Sequence, residues 1–143
     1  MNNFSDISKE RLKTCHRDLQ LLFNHVVQDY DCTVICGHRG SEEQDEAYAS
    51  GNSQLEWPKS KHNSVPSLAV DVVPHEKIID WGKLQSAHFA GYVKGVADRL
   101  LHIGVISHHI RCGVDWDSDN DIDDTTFWDS AHFEIVPNIR DNV

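Results

Sequence analysis

The chain has 143 residues, of which 39% are hydrophobic and 25% are charged, as is typical of a globular rather than a disordered protein. It contains 13 Lys and Arg residues against 23 Asp and Glu residues, and its formal net charge is −10 at pH 7. This balance, without any basic cluster, excludes a general electrostatic affinity for nucleic acid or for an anionic membrane. The length favours a single domain over residues 1–143, and we expect a monomer.

Neither secretion nor stable membrane association is predicted from the hydropathy of the chain. The start, MNNFSDISKERLK, lacks the apolar segment of a signal peptide, and no apolar run reaches the roughly 18 residues of a membrane-spanning helix. We therefore expect synthesis in the cytoplasm, with free thiols at the four cysteines, which are Cys15, Cys32, Cys36 and Cys112.

Hydrophobic periodicity predicts three helices and four strands. In chain order they are a helix over about 15–30, a strand at 31–38, a helix over about 42–50, a strand at 67–73, a helix over about 84–102, and strands at 105–112 and 131–137. Ser41 and Gln44 resemble a capping box that would open the second helix. Helices packed on strands that hairpins and loops connect predict an α+β fold, with a small, mainly antiparallel sheet and about three helices.

Asp71 lies inside the apolar strand run SLAVDVV, where an unpaired carboxylate would be costly to bury. A metal ion is one partner that would remove this cost. The loop before the strand can fold back to bring His62 beside Asp71, and His132 begins the last strand. Two imidazoles and one carboxylate are three ligands of a catalytic zinc site, which keeps its fourth position for water. The alternative is a loop histidine and a strand carboxylate with hydrogen bonds inside the protein.

A zinc-bound water needs a base to accept its proton. Asp129 stands three residues before His132, in the loop that enters the last predicted strand, and approaches the same side of the site. Glu134 shares the strand face of His132, so it is either a residue that orients this ligand or a partly exposed strand acid.

The stretch DWDSDNDIDD, residues 115–124, is the most acidic part of the chain. It is either a solvated acidic loop or a calcium site, because its D-x-D-x-D start resembles the first half of an EF-hand loop. Asn120 stands where that loop has glycine, and Thr126 stands where it has glutamate. The candidate calcium ligands are Asp115, Asp117, Asp119, Asp121 and Asp124.

Three separated motifs resemble those of one enzyme family in the same order. They are Ser60-Lys61-His62, Ala69-Val70-Asp71 and Asp129-Ser130-Ala131-His132. The pattern is similar to that of the zinc peptidases that include D-Ala-D-Ala carboxypeptidases and bacteriophage L-alanyl-D-glutamate endopeptidases. The similarity extends upstream to a fourth motif, Gly37-His38-Arg39, and covers about 10–137. The phage endolysin branch is also resembled at Gln44, Tyr48-Ala49-Ser50-Gly51 and Gly113-Val114-Asp115-Trp116. His62 and Asp71 stand nine residues apart, a longer interval than in many relatives, and the base is an Asp where the carboxypeptidase branch has Glu.

This resemblance implies the fold of the zinc D-Ala-D-Ala peptidases and hedgehog-type domains. It implies zinc held by His62, Asp71 and His132, with Asp129 as the catalytic base and Arg39 as a catalytic residue that positions substrate. Some phage enzymes of this family carry a regulatory calcium site in the segment that matches the acidic loop.

The implied activity is cleavage of the L-Ala–D-Glu bond in the peptidoglycan stem peptide during phage-mediated host lysis. The enzyme would then pass from the host cytoplasm to the periplasm and cell wall through a membrane lesion. One alternative is a D-Ala-D-Ala carboxypeptidase or dipeptidase with the same metal chemistry. Another is a non-catalytic binding module on the same fold, although such a module has no need of Asp129 as a base.

Overall fold

The computed structural model describes residues 2–75 and 82–137, and this part of the chain contains four α-helices and four strands. The helices are α1 (Asp6–Lys13), α2 (Arg17–Asp29), α3 (Ser41–Ala49) and α4 (Lys83–His102). The strands are β1 (Cys32–Cys36), β2 (Ala69–Pro74), β3 (His109–Gly113) and β4 (Asp129–Val136), and a short 3-10 turn spans Lys61–Asn63. None of the described helices combines the length and the apolar character needed to cross a membrane.

The four strands form one antiparallel sheet in the order β1-β2-β4-β3. This arrangement confirms the predicted α+β fold with an antiparallel sheet. At the centre of the sheet, β2 pairs with β4 so that Asp71 lies opposite His132 and Val70 lies opposite Phe133. Because side chains alternate across a strand, the register that buries Val70 and Phe133 turns Asp71 and His132 together to the other face.

The hydrophobic core lies between the sheet and the long helices α2 and α4. Leu19, Leu22, Phe23 and Val26 form the apolar stripe of α2, and all four are fully buried. The Phe133 ring of β4 makes edge contacts with Phe23 and with Phe89 of α4, at centroid distances of 5.2 and 6.0 Å. Burial of this kind is the main source of fold stability, so one face of β4 is fixed by the core and the other is left for chemistry.

The sequence-based prediction missed helix α1, which has only Ser8 and Leu12 as buried residues and so shows little apolar periodicity. The predicted capping box at Ser41 and Gln44 is wrong, because the N-cap of α3 is Gly40, without a side-chain cap bond. Gln44 is instead fully buried and donates to Ser53 and to the backbone oxygen of Leu55.

Two strand boundaries also differ from the prediction. The strand predicted from residue 105 begins only at His109. The Asp18 carboxylate of α2 accepts hydrogen bonds from the Ser107 N–H and from His108 Nδ1, so these two residues bind α2 before the strand starts. The last strand begins earlier than predicted, so Asp129 is its first residue rather than part of the preceding loop. The four cysteines are free thiols, as predicted.

Candidate functional site

His62 is held rigidly before β2. The Ser60 side chain accepts the His62 backbone N–H, and Asn63 accepts the Ser60 N–H, which completes a capping box around the turn. The His62 side chain is almost fully buried, at 2% exposure. Its Nδ1 lies 2.8 Å from the Gly37 carbonyl oxygen, and since a carbonyl only accepts, Nδ1 carries the proton. The lone pair of His62 is therefore on Nε2, which lies 3.2 Å from Asp71 Oδ1.

His132 is oriented in the opposite sense. Its Nε2 lies 2.8 Å from the Glu134 carboxylate, so that nitrogen donates a hydrogen bond and leaves the lone pair on Nδ1. Nδ1 lies 3.3 Å from Asp71 Oδ1. Glu134 is 5% exposed, so of the two roles considered for this residue the buried, orienting one matches the geometry.

Two of the three separations within the predicted ligand set fit a tetrahedral metal site. Metal–ligand distances of about 2.0–2.1 Å put neighbouring ligand atoms about 3.3–3.4 Å apart, which matches the separations of both histidine nitrogens from Asp71 Oδ1. The three side chains here whose potential ligand atoms all lie within 4.8 Å of one another are Cys36, His62 and Asp71, a group that does not include His132. The Cys36 thiol, however, is 3.9 Å from His62 Nδ1, the nitrogen that already donates to Gly37. The free lone pairs thus favour His132 over Cys36 as the third ligand.

The electrostatics of the cluster call for a cation. Burial acts to lower the pKa of His62 and of His132, but the Asp71 carboxylate outweighs it and raises both well above the ordinary value. Burial acts to raise the pKa of Asp71, and the two imidazoles hold it far below its usual range. The three side chains therefore gather positive charge, either as protons or as a metal ion.

Asp129 lies at the edge of this cluster, with Oδ2 3.9 Å from His132 Nδ1. Burial, assisted by the neighbouring Asp71 charge, raises the pKa of Asp129, which makes its carboxylate a better proton acceptor than an exposed one. The backbone of Asp129 is held in place by Gly113 on β3. A Cβ at Gly113 would lie 2.0 Å from the Asp129 carbonyl oxygen, so only glycine permits this close approach.

Arg39 approaches Asp71 from the other side. Its Nη2 lies 3.5 Å from Asp71 Oδ2, and its Nη1 donates to the side chain of Gln44 at 3.0 Å. The same Gln44 oxygen accepts from Asn63, which ties the arginine to the turn that carries His62. The buried Gln44 was predicted as a capping residue and as part of the pattern that resembles the endolysin branch, and neither indicated that it supports Arg39.

These side chains meet in a cleft of about 920 Å³. The three predicted zinc ligands and the two predicted catalytic residues all line it, namely His62, Asp71 and His132 with Asp129 and Arg39. The same cleft is lined by Lys59, Lys61 and Arg111, which were not predicted as site residues. Its size is that of a small-molecule or peptide site.

The model of the phage L-alanyl-D-glutamate peptidase family matches residues 1–136. The chain belongs to this family. The match confirms the resemblance, and it makes the protein a peptidase of the kind that acts on peptidoglycan. No curated protein sequence matches the chain.

Two solved structures share the fold of this peptidase. The L-Ala D-Glu endopeptidase ChiX of Serratia marcescens has a TM-score of 0.65 and 22% identity, over 99% of this chain and 94% of its own. The LD-carboxypeptidase LdcB has a TM-score of 0.52 and 14% identity, over 90% of this chain and 62% of its own. At these identities the similarity establishes the fold.

The acidic loop of the peptidase gathers three of its five predicted calcium ligands. Asp115, Asp117 and Asp119 have carboxylate oxygens within 4.8 Å of one another. Asp115 is buried, accepts the N–H groups of Asp119 and Asn120, and lies 3.7 Å from Lys94 Nζ. The other two predicted ligands, Asp121 and Asp124, are not part of this three-carboxylate group.

A second His–Asp–His group lies where α2 begins, formed by His16, Asp18 and His108. His16 is the N-cap of α2, and its Nδ1 accepts the Asp18 N–H at 3.0 Å. The Asp18 carboxylate accepts from His108 Nδ1 at 2.7 Å and from the Ser107 N–H at 2.9 Å. These bonds use Nδ1 of both imidazoles and one oxygen of Asp18, and through them this cluster connects α2 to the start of β3.

Proposed function

We propose that this peptidase is a zinc-dependent endopeptidase that cuts the L-Ala–D-Glu bond of the peptidoglycan stem peptide in phage-mediated host lysis. The observation that carries the proposal is the convergence of His62 Nε2 and His132 Nδ1 on Asp71 Oδ1, inside a cleft that also contains Asp129. In a lytic role the enzyme acts on the cell wall after it has left the host cytoplasm through a membrane lesion.

His62, Asp71 and His132 would hold the zinc ion, which when bound supplies Lewis-acid chemistry. The Gly37 carbonyl and the Glu134 carboxylate keep the two imidazoles in the tautomers that present a lone pair to the ion.

Asp129 is the proton carrier of the proposed reaction. Its Oδ2 accepts a proton from the attacking water and later donates it to the leaving amine nitrogen, as one group does for a general base and then a general acid. The carboxylate side chain is 31% exposed, so it reaches both the ligand cluster and the substrate in the cleft.

Arg39 stabilises charge on the substrate oxygen. A guanidinium presents several N–H donors in a fixed plane, and Gln44 holds this one with its Nη2 towards Asp71. The donors that remain face the cleft, where negative charge develops on the oxygen of the scissile carbonyl as the water adds to it.

Calcium is the second cation of the proposal. Asp115, Asp117 and Asp119 supply oxygen ligands of the kind that calcium prefers, and the segment that carries them leads directly to Asp129 and His132.

Digestion of purified sacculi tests the proposed activity. The zinc-loaded enzyme is expected to release fragments with new D-Glu amino termini, detected by mass spectrometry, and His132→Ala is expected to lose both the metal and the activity. Release of D-Ala would indicate the carboxypeptidase instead, and absence of any product would favour a binding module. Full zinc occupancy in His132→Ala, measured by metal analysis, would contradict the ligand assignment.

A further inference from the structure

One wall of the cleft is strongly cationic, although the chain as a whole has a net charge of −10. Lys59, Lys61 and Arg111 all line this wall. Lys61 and Arg111 approach the same oxygen of Glu134, Oε2, at 2.9 and 2.7 Å. The other Glu134 oxygen accepts from His132, so three of the roughly four lone-pair sites of this carboxylate are already in use.

The charges on this wall do not balance. Two cations share the single carboxylate of Glu134, which leaves one positive charge without a counter-charge. Lys59 adds a second unbalanced positive charge, since no carboxylate of the described residues lies within ion-pair distance of its ammonium group. Within a cleft with low-dielectric walls, such an excess attracts an anionic ligand.

Arg111 has donors that the protein does not satisfy. Its Nε is buried and has no acceptor among the described residues. Its Nη1 reaches only the Trp116 carbonyl oxygen, at 3.5 Å, which is long for a hydrogen bond. The guanidinium lies over the Trp116 ring at 5.9 Å from the centroid, which restricts its plane. Buried donors without partners are rare and costly, and they point to an acceptor that arrives with a ligand.

We propose that Arg111, assisted by Lys61, binds the free carboxylate next to the scissile amide, and so selects stem peptides with an unmodified D-glutamate. This inference rests on the proposed function. In the stem peptide D-Glu is linked onward through its side-chain carboxyl, so its α-carboxylate is free and sits on the carbon bonded to the scissile nitrogen. Glu134 contacts both Arg111 and His132, which puts the guanidinium one side chain away from the proposed metal ligand.

The binding of a carboxylate by a guanidinium fork is geometrically specific. Two parallel N–H donors match two carboxylate oxygens, whereas a carboxamide offers one acceptor and brings two donors of its own. An amidated D-Glu, which is D-isoglutamine, would therefore leave a buried donor unsatisfied and place its NH₂ against a cation. The structure thus predicts discrimination between two substrates that differ only in this group.

The test uses two synthetic peptides, L-Ala-γ-D-Glu-L-Lys and the same peptide with the α-carboxylate amidated, and the zinc-loaded enzyme. The wild-type enzyme is expected to cleave the acid with a kcat/KM about 10–100-fold higher, the range of a hydrogen bond to a charged group. Arg111→Gln is expected to bring this ratio towards unity. Arg17→Gln is the matched control, because the Arg17 side chain is 73% exposed and lies outside the cleft, and it should keep the wild-type ratio.

Arg111→Lys is a second variant in case Arg111→Gln fails to fold. Its ammonium can still pair with Glu134, but it lacks the two parallel N–H donors of the guanidinium. Its ratio is also expected to fall, while zinc content stays at one ion per chain. Equal cleavage of both peptides by the wild type, or a full ratio in both Arg111 variants, would overturn this inference and leave the proposed function intact. Failure of the wild type to cut either peptide would overturn the proposed function, and this inference with it.

Discussion

At the scale of single residues, the hydrogen bond that one ring nitrogen of His62 or His132 donates determines that the other ring nitrogen carries the lone pair. The Gly37 carbonyl and the Glu134 carboxylate each take an imidazole N–H, so the lone pairs of both rings are turned towards Asp71. Neither partner belongs to the three motifs that contain the proposed ligands and base. The orienting role was one of two considered for Glu134 from the sequence, whereas that of the Gly37 carbonyl is visible only in three dimensions.

Replacement of Asp129 by Asn separates catalysis from metal binding. The amide keeps the size of the side chain but cannot accept a proton, so kcat is expected to fall by roughly 10²–10⁴-fold, while zinc content and thermal stability stay near the wild-type values. Steady-state hydrolysis of a muropeptide and metal analysis are the measurements. Asp98 is exposed on α4, so Asp98→Asn is the control and should leave kcat unchanged. A near wild-type rate in Asp129→Asn would assign the base to another group.

At the scale of elements, the close approach of β3 to β4 holds Asp129, the proposed catalytic carboxylate. An alanine at Gly113 would meet the backbone of Asp129, so Gly113→Ala is expected to push the start of β4 outwards. A misplacement of about 1 Å costs on the order of 10²-fold in kcat, and the overpacking costs about 1–3 kcal/mol of unfolding free energy.

Gly95→Ala is the matched control for this change. Gly95 lies on the exposed side of α4 with nothing within 4 Å of an added Cβ, so alanine is expected to raise the unfolding free energy by roughly 0.5–1 kcal/mol. Equilibrium unfolding in urea and kinetics on the same samples compare the two variants. Full activity in Gly113→Ala would show that the strand contact does not position Asp129.

The acidic loop is the element that tests the calcium prediction. Calcium added to the zinc-loaded enzyme is expected to bind with a measurable heat and to raise the unfolding free energy, by about 2.7 kcal/mol at 100 times its Kd. The double variant Asp117→Ala/Asp119→Ala should lose both effects. Asp123→Ala changes the same loop outside the three-carboxylate group and should keep them. A flat calorimetric titration with the wild type would leave only a solvated loop.

At the scale of the whole molecule, Asp18 joins α2 to the start of β3 and makes stability depend on pH. Burial acts to raise its pKa, but the hydrogen bonds from His108 and Ser107 lower it below the ordinary value of 3.8. As the pH falls below that value the unfolded chain binds this proton before the folded one does. The stabilisation is therefore complete near neutral pH and is lost as the pH falls further.

Asp18→Asn is expected to lower the unfolding free energy at pH 7 by about 1–3 kcal/mol, because the amide accepts these bonds without the charge. The difference from the wild type should shrink as the pH falls below about 4. Urea unfolding at several pH values measures it. Asp29→Asn, at the exposed end of α2, serves as the control and should match the wild type throughout. A constant difference across the pH range would rule out a contribution from this carboxylate charge.

Much of the fold was predictable because its strands and long helices carry strong apolar periodicity. The sequence also indicated the candidate metal-site residues, since an acid inside an apolar strand, as at Asp71, requires a partner. Helix α1 was not predictable from sequence, because it has few buried residues and so no apolar stripe. The place of Arg111 in the cleft and the support that Gln44 gives to Arg39 were not predicted for another reason. The partners of Arg111 and Gln44 lie 23 and up to 19 residues away, and only the strand register and the loop path bring them together.

The order of the strands has a consequence for protein synthesis. The ribosome makes β4 after every other described element, yet β4 lies between β2 and β3 in the sheet. A nascent chain therefore holds two strands with open edges until its last strand is available, which makes interrupted chains prone to aggregation and clearance. His132 lies on that last strand, so a nascent chain lacks one of the three proposed zinc ligands until β4 has been made.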